Sequence, residues 1–282
     1  MQVVETIREI REISRNICLS GKKLGFVPTM GALHEGHISL VKNSRAENDF
    51  TAVSIFVNPT QFAPNEDYAQ YPRTFDNDKS LLEQAGCDYL FFPSPEEMYG
   101  QAGTLTWVTV DLLPNHLCGI SRPNHFRGVT TVVAKFLNIV QPARAYFGQK
   151  DYQQTVIIRR MAADLNFTSE IRVMPIVRET DGLAMSSRNR YLTPAERKNS
   201  LVLVETLDYG EKLIAGGETD APAIVGKMKK LIAEKVPSAK IDYVSVVHPE
   251  TLEELGVIDG KCVIALAVYI GTTRLIDNAI VG

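Results

Sequence analysis

The feature that most constrains this chain is an order of segments. Short, almost wholly apolar runs of strand length alternate with amphipathic helical spacing through the first ~175 residues. The clearest run is TAVSIFV at 51–57. A strand that is apolar on both faces must be covered on both faces, which is the condition of a parallel sheet flanked by helices. Segments 23–27, 88–92, 144–147 and 171–177 read as further strands. Helices are expected between them over 6–19, 38–47, 75–85, 129–140 and 152–165; in the first, Ile7, Ile10, Ile13 and Ile17 share a face. The expectation is an α/β fold, a Rossmann-like parallel sheet with right-handed crossovers. From Leu192 the texture changes. Thr193-Pro194-Ala195-Glu196 has the pattern of an N-cap followed by proline at the first helical position. Helices over 195–215 and 221–235 and strands over 240–247, 261–270 and 274–278 then describe a smaller C-terminal α+β domain. The chain is expected to divide as 1–176 and 177–282, the second part acting as a lid.

Composition narrows the function classes. With 30 Lys+Arg against 33 Asp+Glu the formal net charge is -3, without the basic excess of a general nucleic-acid binder. No apolar stretch approaches the ~20 residues of a membrane helix. The N-terminal MQVVETIREIREISR reads as a charged amphipathic helix with no apolar signal core, so a soluble intracellular protein is expected. Cys18, Cys87, Cys118 and Cys262 lie far apart with no CxxC pair, and read as reduced, mostly buried thiols.

In parallel sheets of this kind, ligands sit beyond the carboxyl ends of strands, where strand order reverses. Polar clusters at 28–37, 58–61, 148–154 and 178–188 each follow an expected strand and would converge on that edge. The first, PTMGALHEGH, joins a strand to a helix N-terminus, which carries unpaired N–H groups and partial positive charge suited to phosphate. Gly31 and Gly36 allow close backbone approach, and His34 and His37, three apart on one helical face, could reach one phosphate chain. Two other readings remain open: metal ligands, although HExxH spacing is missing, or ordinary helix-start histidines. No GxxxxGK[ST] loop or GxGxxG follows the first strand.

In FVNPTQF, Asn58 and Gln61 are neutral amides able to bind hydroxyls and carboxylates, or simply a turn. The loop 63–73 is long enough for a lid. In FGQKDYQQ, Lys150 offers a point charge to phosphate, Gln154 faces the same way one turn on, and Asp151 could take a ribose hydroxyl or merely cap the helix. Ser186, Ser187 and Arg188, in a loop expected to be flexible, could clamp phosphate or lie in a solvated interdomain loop. Arg122 and Arg127 of RPNHFRG could reach a carboxylate or decorate the surface.

PTMGALHEGH, FVNPTQF, RPNHFRGV, FGQKDYQQ and MSSRN, in that order and at those separations, closely resemble the pantoate–β-alanine ligase family across essentially the whole chain. The His34–His37 segment is similar to the HIGH-type signature of the nucleotidyltransferase superfamily, and Met185 to Arg188 to its KMSKS-like loop. Gln149 stands where many relatives have Glu. The resemblance implies two steps: pantoate attacks the α-phosphorus of MgATP to give pantoyl adenylate and pyrophosphate, then β-alanine attacks the acyl carbon to give pantothenate and AMP. It implies that Met30, Gly31, Ala32, Leu33, His34, Glu35, Gly36 and His37 hold ATP, with both histidines on the phosphates and His37 the preferred proton donor. Gly148, Gln149, Lys150, Asp151, Val177, Met185, Ser186, Ser187 and Arg188 would also bind ATP. Gln61 and Gln154 would hold pantoate, with Asn58 and Arg122 on the substrate side. The implied cofactors are ATP as co-substrate and Mg2+, and the implied assembly is a cytoplasmic homodimer without nucleic acid or membrane partners. Another transferase of the superfamily, which keeps the nucleotide on its product, and a non-catalytic nucleotide sensor are the alternatives.

Overall fold

Strand β1 (Gln2–Val4) and helix α1 (Ile7–Leu19) open the chain in a computed structural model that describes residues 1–64 and 66–282. Residues 2–4, expected to lie in a helix, are instead a strand. Thr6 and Glu9 form a reciprocal cap, side chain to main chain in both directions, and this sets the helix start at Ile7. There follow β2 (Leu24–Thr29), α2 (Glu35–Glu47), β3 (Phe50–Ile55), α3 (Phe75–Gln84), β4 (Tyr89–Phe91) and α4 (Pro95–Tyr99). After a short helix α5 (Cys118–Ser121) come α6 (His125–Val140), β5 (Arg144–Gly148), α7 (Tyr152–Asp164) and β6 (Glu170–Met174). The remaining elements are α8 (Pro194–Asn199), α9 (Val202–Ala215), α10 (Ala221–Lys235), β7 (Lys240–Val247), β8 (Cys262–Ile270) and β9 (Thr273–Val281).

Two units share these elements. The first comprises Met1–Asp111, Arg122–Gln149 and Gln154–Pro175; the second comprises Leu112–Ser121, Lys150–Gln153 and Ile176–Gly282. The second therefore takes in two short segments from within 1–176.

In the first unit the strands order as β1-β4-β3-β2-β5-β6, every pair parallel. The period of two in the strands sorts the core. Phe26 and Ala52 pack with α1 and α6 on one face; Val27 and Val53 face Leu40, Val41 and Leu82 on the other. Phe26 is fully buried against Phe136, their ring centroids 5.6 Å apart, a burial that contributes about 1.5–3 kcal/mol. The chain runs from β2 outward through β3 to β4, then resumes on the opposite side of β2 with β5 and β6. The strand order thus reverses between β2 and β5, and their carboxyl ends open the crevice where such sheets hold ligands. Strand β6 stops at Met174, short of the expected 177, because Pro175 has no N–H to continue a ladder.

In the second unit β7-β8-β9 form an antiparallel sheet, with β8 central and buried almost throughout. Ile224, Met228 and Ile232 of α10 and Leu203 and Leu207 of α9 fill its core. The helix expected over 195–215 is two helices. The Ser200 hydroxyl donates to Arg197 O at 2.7 Å, the acceptor a continuing helix would offer to Leu201 N, which bonds Lys198 O instead. All four cysteines are free; Cys87, Cys118 and Cys262 are buried and Cys18 is exposed. Burial pushes the Cys87 thiol up to about 12.

Candidate functional site

At the carboxyl end of β2 the chain turns sharply. Thr29 Oγ1 donates to Ser54 O at 2.7 Å and accepts from Gly31 N at 3.1 Å. Gly31 and Ala32 then take left-handed conformations, φ +82° and +51°. Glycine tolerates this readily, whereas alanine does so at a steric cost that something must offset. Asp78, on α3 and only 1% exposed, supplies the offset: its carboxylate accepts from Ala32 N at 2.8 Å, Leu33 N at 2.9 Å and Thr74 Oγ1 at 3.1 Å. The segment is thereby held ahead of α2 with Met30 half-buried, Leu33 buried and Glu35 exposed, 3.9 Å from Lys42.

His34 is the N-cap of α2 rather than a residue on its face. Its Nδ1 accepts from Gly36 N at 3.2 Å, while His37 Nδ1 accepts from His34 N at 3.4 Å. The two imidazoles are 4.1 Å apart, centroid to centroid. A ring nitrogen that accepts from a main-chain N–H carries no proton, so each neutral ring keeps its proton on Nε2. The main-chain N–H groups of Ala32, Leu33, His34, Gly36 and His37 already have protein acceptors, so the two imidazole N–H groups are the donors that suit phosphoryl oxygens at this helix start.

Next to β2, the end of β3 delivers Asn58 and Gln61. Asn58 is 1% exposed; its Nδ2 donates to Gln61 Oε1 at 3.0 Å and Gly128 O at 3.2 Å, while its Oδ1 accepts from Tyr99 OH at 2.6 Å. Burial holds the Tyr99 hydroxyl above its usual range, so it stays a donor. Gln61 Nε2 lies 3.1 Å from Met30 Sδ. The residues 59–61 form a single turn of 3-10 helix seated against α6 at Gly128, where a Cβ would come 2.3 Å from Thr60 O. This close approach explains a glycine inside α6, and α6 begins at His125 instead of the expected 129.

Arg122 is tied up on the protein. Its Nε and Nη2 donate to the two carboxylate oxygens of Glu66, each at 2.7 Å, and Nη1 lies 3.1 Å from His125 Nε2. Burial alone would raise the Glu66 carboxyl, but the Arg122 guanidinium outweighs it and the group lies below its ordinary value. Arg127 stacks over the Trp107 ring at 4.4 Å. Gly148 and Gln149 follow β5, and Gln154 sits half-buried in the first turn of α7.

The remaining expected residues belong to the second unit. Lys150 and Asp151 lie in a 3-10 turn; Lys150 O accepts from Asn278 Nδ2 at 3.0 Å. Gln153 is 4% exposed and donates to Leu113 O and His116 O at 3.0 and 2.7 Å. The stretch expected to be a flexible loop is hydrogen-bonded throughout. Val177 O accepts from Met185 N at 3.0 Å, Arg178 bridges Ala184, and Glu179 N donates to Leu183 O at 2.8 Å, making a small hairpin. Arg178 anchors it through a two-point pair, 2.7 and 3.1 Å, with the buried Asp277 of β9. Ser186 then caps the 3-10 helix Ser187–Tyr191, accepting from Arg188 N at 3.3 Å. Ser187 is buried and Arg188 half-buried. Asn189 Nδ2 fastens this turn back to Glu179 Oε1 at 2.7 Å.

Asp78, Tyr99, Glu66 and His125 were not singled out from the sequence. Asp78 looks like any acidic residue in a helix first turn, and nothing local signals that its partners lie 45 and 46 residues away.

The chain is similar to known proteins over its whole length. A family model described as pantoate-beta-alanine ligase matches residues 2–280. A pantothenate synthetase of Thermoanaerobacter sp. (strain X514) is 55% identical over 282 residues, spanning 100% of this chain and 99% of that protein. One of Thermosipho africanus is 54% identical over 281 residues, with both chains covered in full. The crystal structure of pantothenate synthetase from Thermus thermophilus superposes with TM-score 0.93 at 44% identity, covering 99% of each chain. Pantoate-beta-alanine ligase from Francisella tularensis, complexed with beta-gamma ATP and beta-alanine, gives TM-score 0.77 at 38% identity over 99% of this chain and 97% of that one. With the sheet, its switch point and the histidine-capped helix in place, the chain belongs to the pantoate–β-alanine ligase family, the pantothenate synthetases, enzymes that form an amide bond.

Proposed function

We propose that this protein condenses (R)-pantoate with β-alanine in two steps, through a pantoyl-adenylate intermediate, releasing pyrophosphate and then AMP. The observation that carries the reading is the histidine pair at the start of α2, both Nδ1 atoms turned to the main chain so that each ring carries its N–H donor at Nε2. In the first step the pantoate carboxylate attacks the α-phosphorus, and negative charge builds on the departing pyrophosphate. His34 and His37 donate hydrogen bonds from Nε2–H to those oxygens; a neutral ring that gave up this proton would become an imidazolate, so His37 stabilises the charge instead of serving as the expected proton donor. Gln61 and Gln154 hold pantoate, Asn58 fixes Gln61, and Gln61 also adjoins β-alanine. Gly148, Gln149, Lys150, Asp151, Val177 and Met185 to Arg188 complete the ATP contacts, with Lys150, Ser186, Ser187 and Arg188 on phosphate and Asp151 on ribose. In the second step the β-alanine amine attacks the acyl carbon and AMP leaves. No covalent enzyme intermediate is required; alignment and charge stabilisation carry the rate.

Mg2+ enters as part of the MgATP substrate. Among the described residues no group of three or more His, Cys, Asp or Glu is placed to hold a metal. The family resemblance further supports a cytoplasmic homodimer. Pantoate-dependent exchange of labelled pyrophosphate into ATP, without β-alanine, tests the first step. Exchange is expected only with pantoate present; AMP formation that needs β-alanine, with no exchange beforehand, would refute the two-step order.

A further inference from the structure

We propose that His125 is a positioning residue for Gln61, and that Arg122 and Glu66 fix the imidazole tautomer that does the positioning. The inference deepens the reading that Gln61 holds pantoate and rests on it.

Four groups form one chain of hydrogen bonds. Glu66 takes both Nε and Nη2 of Arg122, each at 2.7 Å, which fixes the plane of the guanidinium. The remaining terminal nitrogen, Nη1, is 3.1 Å from His125 Nε2. A guanidinium has five N–H donors and no acceptor, so across this contact Arg122 donates and His125 Nε2 carries a lone pair. The proton of the neutral ring is therefore on Nδ1, which lies 2.8 Å from Gln61 O and donates to it. Phe126 meets the ring edge-on, 5.0 Å between centroids.

Gln61 is consequently held at both ends. Asn58 and Met30 fix its side-chain amide, and His125 fixes its main-chain carbonyl. The same turn rests on Gly128, one helical turn beyond His125 along α6, so sideways movement of Gln61 would break either the carbonyl bond or the seat. In this arrangement Arg122 acts through His125 rather than on substrate.

The two amide variants of His125 separate the nitrogens, because asparagine can put its NH2 near Nδ1 whereas glutamine reaches toward Nε2. Steady-state KM for pantoate and for ATP would be measured in His125→Ala, His125→Asn, His125→Gln and Gln61→Ala, with melting temperature recorded for each. His125→Ala is expected to raise the pantoate KM roughly tenfold, the worth of one buried hydrogen bond, with ATP KM within about twofold of wild type. His125→Asn should recover most of the loss and His125→Gln little. Gln61→Ala with unchanged pantoate KM would remove the reading underneath and the proposal with it. A strong Gln61→Ala effect beside a wild-type His125→Ala would overturn the positioning role alone. Rescue by Gln instead of Asn, or equal loss for both substrates, would overturn it as well.

Discussion

Replacing Asp78 with asparagine tests how the segment ahead of α2 is held. The native carboxylate is 1% exposed and accepts three hydrogen bonds: Ala32 N and Leu33 N at 2.8 and 2.9 Å, and the Thr74 hydroxyl at 3.1 Å. The two main-chain donors sit on different carboxylate oxygens. In Asp78→Asn one oxygen becomes an NH2, so one main-chain N–H faces another donor. A buried donor without a partner costs about 1–3 kcal/mol, and loss of charge assistance on the remaining bonds adds ~1 kcal/mol. The expected loss is about 2–4 kcal/mol from the first unit. The single tryptophan, Trp107, lies in that unit, so its fluorescence during urea unfolding reports the change directly. Part of the deficit should also appear as a raised KM for ATP, larger than any change for pantoate, because Ala32 keeps φ +51° only while its N–H is held. An unchanged urea midpoint with unchanged ATP KM would refute the argument.

His37→Ala is expected to slow adenylation at least ~100-fold while lowering the melting temperature little; normal turnover with a lower melting temperature would reverse the assignment. Gly128→Ala should cost about 1–3 kcal/mol and weaken pantoate binding in calorimetry, since a Cβ there would come 2.3 Å from Thr60 O and 2.7 Å from Gln61 Cα. The Glu66 carboxyl, shifted down in the fold by Arg122 against the pull of burial, contributes stability above its unfolded value, lost as pH falls through the folded one. An acid titration of stability below about pH 4.5 should therefore be shallower in Glu66→Gln than in wild type. Burial and then Glu47 push Tyr146 up to about 12, so the fold keeps a proton that the unfolded chain releases near its ordinary value of ~10. Stability should fall between those two pH values, and Tyr146→Phe should make that slope shallower in alkaline unfolding curves, Tyr89, Tyr99 and Tyr243 being raised as well.

Much of the architecture is legible because periodicity is a local property. Helix α10 and strand β7 occupy the expected 221–235 and 240–247, and the apolar run at 51–57 contains most of β3. The departures have causes that hydrophobic pattern does not encode: the Ser200 hydroxyl that ends a helix and the proline that stops β6, both local, and the distant contact with Thr60 that makes Gly128 welcome in α6. Histidines at 34 and 37 could be read as a pair, but the main-chain bonds that set their tautomers could not. The least legible part is support. Asp78 under Ala32 and His125 behind Gln61 act on partners 46 and 64 residues away, and although RPNHFRGV includes His125, a single sequence shows neither residue's partner.

Strand β1 carries a consequence for synthesis. Gln2, Val3 and Val4 pair with Tyr89, Leu90 and Phe91, and Gln2 N and Val4 O complete the ladder through Asp88 O and Phe92 N. On the ribosome the partner strand is not yet made when β1 emerges, and at ~5–20 residues per second the wait lasts seconds. The β8–β9 hairpin, by contrast, has neighbouring strands and can close in about microseconds once both have emerged. Among the strands of this sheet β1 thus waits longest for its first partner, and a nascent chain arrested before Tyr89 holds Val3 and Val4 unpaired for chaperones to cover.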